Sequence, residues 1–232
     1  MLIPRLRGIV KYVHTLNSGM VSGVCLLGSA CNQAQIPILL LEETALYMQY
    51  ADAPQRHLWQ MYIGVPAKQH EKVLNLAREN GFTVECYSNT AVARQGVTRQ
   101  IVIRSVEDNS YLWDGAEKLK KGNAVFLCPT AATMLLEEHQ RTFRALTKPN
   151  PRVSLVRWSM DMKILLERLS DEDWIQAKKI ALAKDLLDKG ADVTEACYEC
   201  GFNDCSYFIR VFKKYVGMTP LTYKNSLTRA GK

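Results

Sequence analysis

The side chains best suited to chemistry cluster near the C-terminal end of this 232-residue chain: Cys197, Cys200 and Cys205, then Ser206, Tyr207, Arg210, Lys213 and Lys214. A Cys-x-x-Cys pair with a further cysteine close behind suits a zinc site or a thiol–disulfide couple. A fourth zinc ligand is missing at suitable spacing, because the nearest histidine is His139. Cys197 and Cys200 fall instead on the inward face of a short helix, where a free cysteine packs as a small apolar residue. Cys205 is expected to stand exposed as a reactive thiol. The four histidines, His14, His57, His70 and His139, show no metal spacing. No Ser-His-Asp signature, glycine-rich phosphate loop or carboxylate pair stands out, so neither a reaction nor a cofactor is implied. What remains is non-covalent recognition: hydroxyls, one guanidinium and two ammonium groups, a set suited to a polyanion.

The charge distribution agrees with that. The net charge is +7, and residues 1–140 carry 13 Lys/Arg against 12 Asp/Glu, whereas residues 141–232 carry 17 against 11. Six basic residues and no acidic one follow Asp204. Hydrophobic residues make up 47% of the chain, enough for a packed core. Seven cysteines, an odd number, fit reduced thiols and a cytoplasmic location better than a disulfide framework.

The polar residues must be held by helices, and the sequence marks their ends. Asp192 with Glu195 three residues on is a capping pair for a short helix ending near Cys200. Gly201 supplies a tight turn, and Asn203 or Asp204 caps the next helix. There Phe208, Val211, Phe212, Tyr215 and Val216 recur at helical spacing and form one buried face, with Ser206, Arg210 and Lys213 opposite. Two short helices joined by a glycine-containing turn, the second apolar on one side and basic on the other, describe a helix-turn-helix over 192–216. Its second helix is sized for the DNA major groove.

Lys179-Ile-Ala-Leu-Ala-Lys-Asp-Leu-Leu187, then Asp192 to Phe202, Ser206 to Tyr215 and Gly217-Met-Thr-Pro220 resemble the second half of the AraC/XylS DNA-binding domain, from about Trp174 to Tyr223. The resemblance implies two helix-turn-helix units joined by a long helix, here Trp174 to Lys189, in a regulator that usually activates promoters and often contacts RNA polymerase. Carried over by position, it places Cys205, Ser206, Tyr207 and Arg210 toward base edges and Lys213 and Lys214 toward phosphates of double-stranded promoter DNA. The first unit matches poorly. Its reading helix is expected at Ser154 to Leu169 with Met160 and Ile164 buried, and its first helix within Ala131 to Leu146. The usual glycine before the linker helix is replaced near Arg168 and Leu169, and Pro149 and Pro151 crowd the turn. Arg152 and Arg157 remain candidates for phosphate contact.

Residues 1–129 read as mixed α/β and 130–232 as all-helical, an α+β chain of two domains. Residues 8–28 suggest two β-rich runs about the turn Asn17-Ser18-Gly19. Arg5, Arg7 and Lys11 before Val21 to Leu27 and Gly28-Ser29-Ala30-Cys31 faintly resemble a lipoprotein export signal. Ser18, Ser22 and Gly28 break that pattern and favour a buried strand. No stretch reaches a membrane span. Ile36 to Leu41 is a strand. From His57 to Tyr87 the order is strand, helix from Ala67 to Asn80, then strand, a β-α-β pattern. A strand over Gln100 to Val106, a turn at Asp108-Asn109, and a turn plus strand over Lys120 to Pro129 follow. Lys148-Pro-Asn-Pro151 breaks the first helix of the second domain, and Ser170 caps the linker helix. The resemblance to AraC/XylS regulators implies that such a first domain serves dimerisation, as a homodimer, or binding of a small-molecule effector. Leu119 to Pro129 faintly resembles one turn of a cupin-like barrel; the alternative is a small open α/β domain. The rival to a DNA-binding regulator is a small α/β enzyme or ligand-binding domain with a helical appendage that no longer reads DNA.

Overall fold

The computed structural model describes residues 2–50, 58–96, 99–108, 110–146 and 154–230. The expectations that rest on His57, Asn109, Lys148 to Pro151 and Arg152 lie outside them. The chain divides into two compact units, residues 1–108 with 115–129 and residues 130–232 with 109–114. Each is described by itself.

The first unit is a helix-covered sheet. Helix α1 (Leu2–Gln33) is followed by β1 (Leu39–Leu41), α2 (Glu42–Gln49), β2 (Met61–Pro66), a short 3-10 turn (Ala67–Gln69), α3 (His70–Glu79), β3 (Thr83–Tyr87), β4 (Thr90–Gln95), β5 (Arg99–Val106), β6 (Glu117–Lys121) and β7 (Ala124–Cys128). The seven strands lie in the order β3-β4-β5-β2-β1-β7-β6. β2 and β5 are parallel, with Met61 opposite Ile101, and β1 and β7 are parallel. β1 is antiparallel to β2, and the β3-β4-β5 meander and the β6-β7 hairpin are antiparallel. The sheet is therefore open, ending in β3 on one side and β6 on the other, so the cupin-like barrel gives way to the open α/β alternative. The edge strand β6 carries Lys118, Lys120 and Lys121, which blunt edge-to-edge pairing.

The largest departure from the sequence reading is α1, one helix where two strands were expected over 8–28 and a buried strand over Val21 to Leu27. Its buried positions, Asn17, Met20, Gly23, Val24, Leu27, Gly28 and Cys31, follow a helical period. Polar and small residues hide that period in the sequence. The Asn17 carboxamide oxygen accepts the Leu58 amide at 3.0 Å. Asn32 donates to the Val125 carbonyl at 3.0 Å and accepts its amide at 2.7 Å, as a neighbouring strand would. A Cβ on Gly28 would stand 2.7 Å from the Phe126 ring, so only glycine lets the helix approach the sheet there. No helix among the described residues is long and apolar enough to cross a membrane.

The expected β-α-β unit is present as β2, α3 and β3, but β4 and β5 lie between its two strands. β4, turning at Ser88 and Asn89, was not foreseen in the sequence; its alternation is of small residues, with Ala91 and Ala93 buried. α3 packs Val73, Leu74 and Ala77, the helical stripe read from the sequence.

The second unit is helical: α4 (Ala131–Leu146), α5 (Leu155–Leu166), α6 (Asp171–Asp188), α7 (Val193–Glu199), α8 (Cys205–Val216) and α9 (Pro220–Ala230). Its core joins Ile180, Ala183 and Leu187 of α6 to Ala196 and Cys197 of α7 and to Phe208, Val211, Phe212, Tyr215 and Val216 of α8. In α5 the buried residues are Asp161, Met162, Ile164 and Leu165, while Met160 is 45% exposed. Ile164 is thus inside as expected and Met160 is not, because the helix turns its 161/164/165 edge inward. The missing glycine after α5 is replaced by a side chain: the Arg168 guanidinium donates to the Ile164 carbonyl at 3.0 Å.

Candidate nucleic-acid interface

Three local devices set α7 and α8 in place. Asp192 and Glu195 form a reciprocal capping box at the start of α7, with Glu195 N–H donating to the Asp192 carboxylate at 2.8 Å and Asp192 N–H to the Glu195 carboxylate at 3.2 Å. Gly201 (φ +82°) takes the left-handed conformation that turns the chain. The Phe202 and Gly201 amides then close onto the carbonyls of Cys197 and Tyr198, at 3.1 and 3.0 Å. Asp204 caps α8, its carboxylate accepting from the amides of Ser206 at 2.7 Å and Tyr207 at 3.2 Å. α8 ends at Gly217 (φ +80°), where a Cβ would also stand 2.3 Å from the Tyr111 ring.

The inner face of α8 is aromatic. Phe208 and Phe212 are fully buried, and a run of ring contacts links Phe202 to Phe208 (5.2 Å), Phe208 to Phe212 (5.6 Å) and Phe212 to Tyr223 of α9 (5.8 Å). Burial, with Asp173 beside it, pushes the Tyr215 phenol up to about 12. α9 is fastened in turn: Tyr223 donates its hydroxyl to Asp188 at 2.9 Å, and Lys224 donates to the carbonyls of Gly190 (3.1 Å) and Ala191 (2.8 Å) at the end of α6.

The outer face of α8 presents Ser206, Tyr207, Arg210, Lys213 and Lys214, all exposed, while Cys205 is half-buried at the helix start. Ser206, Arg210 and Lys213 follow one another at i, i+4 and i+7, so they share one side of the helix. Lys213 and Lys214 sit in its last turn, where the helix dipole favours cations. Cys205 is less open than the sequence suggested, being half-buried and packed against the core. Cys197 and Cys200 lie inside the core. Burial pushes the Cys197 thiol up to about 12, with neighbouring Cys205 adding to it, and the Cys200 thiol up to about 11. Cys200 donates to the Cys197 carbonyl at 3.4 Å. Two protonated, buried thiols are packing groups, as the sequence reading held.

The structure adds Lys179, which that reading quoted without a role. From α6 its ammonium donates to the Gly201 carbonyl at 2.6 Å and lies 5.0 Å from the centre of the Phe202 ring. It ties the turn between α7 and α8 to the long helix. Nothing in its spacing signals this, because Gly201 lies 22 residues away.

In the first half of the unit, α5 shows a different surface. Arg157 and Lys163 are exposed, but so are Leu155 (57%), Val156 (70%) and Met160 (45%).

Residues 168–226 match the family described as "Helix-turn-helix domain", which takes in α6 to α9 and leaves out α4 and α5. The chain is 46% identical over 39 residues to the HTH-type transcriptional regulator AdiY of Escherichia coli (strain K12), covering 17% of this chain and 15% of that protein. It is 43% identical over 53 residues to an uncharacterized HTH-type transcriptional regulator in the cgkA 5' region of Pseudoalteromonas carrageenovora, covering 23% and 28%. The matches thus span less than a third of either relative's length. Among solved structures, ANT(2'')-Ia in complex with adenylyl-2''-tobramycin shares the fold at a TM-score of 0.50 and 11% identity, over 66% of this chain and 90% of that one.

Proposed function

We infer that this chain, whose residues 168–226 match a helix-turn-helix domain family, is an AraC-type, sequence-specific DNA-binding transcriptional regulator of the cytoplasm, an activator that reads the major groove with α8. The observation that carries this reading is the division of α8 into a buried, largely aromatic face and an exposed side that carries Ser206, Arg210, Lys213 and Lys214 beside Tyr207 and Ile209. Arg210 grips a guanine edge through its paired donors; Cys205, Ser206 and Tyr207, nearest the helix start, face neighbouring bases. Lys213 and Lys214 meet phosphates, which set register and not sequence. In this reading residues 130–232 are the DNA-binding domain and residues 1–129 serve dimerisation or effector binding, with RNA polymerase the partner on the promoter.

The test is a titration of the full chain against a duplex DNA library over a range of salt. With about four to six phosphate contacts, log affinity should fall linearly in log salt with a slope of roughly −4 to −5. An affinity indifferent to salt would remove the electrostatic part of the reading. Absence of any duplex binding would favour the second reading, a small α/β enzyme or ligand-binding domain with a helical appendage, for which the first unit's open sheet is the relevant part.

A further inference from the structure

Four side chains form a line across the helix-turn-helix. The Lys179 ammonium of α6 lies 5.0 Å from the centre of the Phe202 ring. Phe202 is buried in the turn, and its ring meets that of Tyr207 at 5.9 Å, tilted by 59°. Tyr207 is 41% exposed on the outer side of α8. The Arg210 guanidinium carbon lies 5.9 Å from the Tyr207 ring centre, within reach of a cation–π contact. Tyr207 and Arg210 are three residues apart, which makes them neighbours on the helix surface. Tyr207 therefore has as neighbours both the buried ring of Phe202 and the arginine proposed to read a base.

Resting on the DNA reading above, but moving Tyr207 from base contact to support of its neighbour, we infer that Tyr207 is a positioning residue for Arg210 and through it sets specificity. An arginine side chain gives up rotamer freedom when it grips a base with both arms. One already laid against a ring gives up less, and it presents its fork from one direction. Phe202 packs against the ring, and Lys179, bonded to the Gly201 carbonyl at 2.6 Å, holds the turn that carries Phe202. In this arrangement the tyrosine works through its ring face. The hydroxyl is dispensable for it.

The test is a selection from a randomised duplex DNA library with the full chain as wild type, Tyr207→Phe, Tyr207→Leu, Tyr207→Gln, Arg210→Ala and the double variant Tyr207→Leu with Arg210→Ala. Tyr207→Phe should keep the wild-type base preference. Tyr207→Leu or Tyr207→Gln, whichever folds as wild type by its melting curve, should lower the preference about two- to fivefold at the same base pair where Arg210→Ala abolishes it, the range expected of an exposed cation–π contact. The double variant should be no less selective there than Arg210→Ala alone. Unchanged preference in both ring-less variants would overturn the role of Tyr207, as would a loss at a different base pair or a loss that adds in full to that of Arg210→Ala. Loss of preference in Tyr207→Phe would show the hydroxyl reading a base directly and would also overturn it. A wild-type chain that selects no sequence at all would instead bring down the DNA reading, and this role with it.

Discussion

Helices α5 and α8 occupy comparable places in the two halves of the helical unit, each 12 residues long, yet they divide their side chains differently. In α8 five apolar residues turn inward, and Ser206, Tyr207, Ile209, Arg210, Lys213 and Lys214 are left outside. In α5 the inward edge includes Asp161, while Leu155, Val156 and Met160 face outward. The caps differ too: Asp204 accepts two amides at the start of α8, and Ser154 accepts one at 3.4 Å at the start of α5. A groove-reading helix has to separate the face that packs from the face that reads, because the same residue cannot be both buried and in contact with a base. α8 makes most of that separation, leaving only Ile209 and Tyr207 as apolar groups outside, and α5 makes less of it.

The sharpest way to break this comparison is to remove the packing face. Phe212 is fully buried between Phe208 and Tyr223, so Phe212→Ala should cost about 3–5 kcal/mol of folding stability. Thermal and denaturant unfolding would show this, and a variant melting within about a degree of wild type would mean that the inner face is misassigned.

Next comes the reading face. Arg210→Ala should leave the melting curve nearly unchanged and cost about 1–3 kcal/mol at the preferred site, with preference relaxed at one base pair. A uniform loss over all sequences would reduce Arg210 to a phosphate contact.

The cap should have a smaller effect. Asp204→Ala leaves the Ser206 and Tyr207 amides without their acceptor and should lower stability by about 1 kcal/mol, read as a shift in the denaturant midpoint. The corresponding Ser154→Ala in α5, losing a single long contact, should shift it less.

The smallest effects sharpen the contrast between the two helices. Lys214→Ala should weaken binding to all sequences alike and shallow the salt slope by about one. Arg157→Ala in α5 should change the slope by no more than that and leave base preference untouched. A change of base preference with Arg157→Ala would bring α5 into the groove and end the asymmetry.

The helix-turn-helix was legible in the sequence because its signals are local. Asp192 with Glu195, the glycine at 201, the acid at 204 and the apolar period from Phe208 to Val216 each act over a few residues, and the structure places each where the spacing puts it. The helical stripe of α3 was legible for the same reason. The first unit was not legible to that depth. Asn17, Gly28 and Asn32 read as turn and strand-breaking residues in isolation, yet in α1 they accept the Leu58 amide, admit the Phe126 ring and pair with Val125. Those partners lie 41 residues from Asn17 and 93 from Asn32, so no window along the chain contains the reason for them. The insertion of β4 and β5 between β2 and β3 is likewise decided by which apolar faces close over which strands. The line from Lys179 to Arg210 belongs with these tertiary decisions: its residue types are all in the sequence, but only the turn at Gly201 brings a lysine of α6 to the ring beside Tyr207. Caps, turns and periodicity are set by backbone geometry within a helical turn or two, and so the sequence alone determined them. Strand order and the partners of buried polar groups depend on contacts between segments far apart in the chain, and only the folded protein decides them.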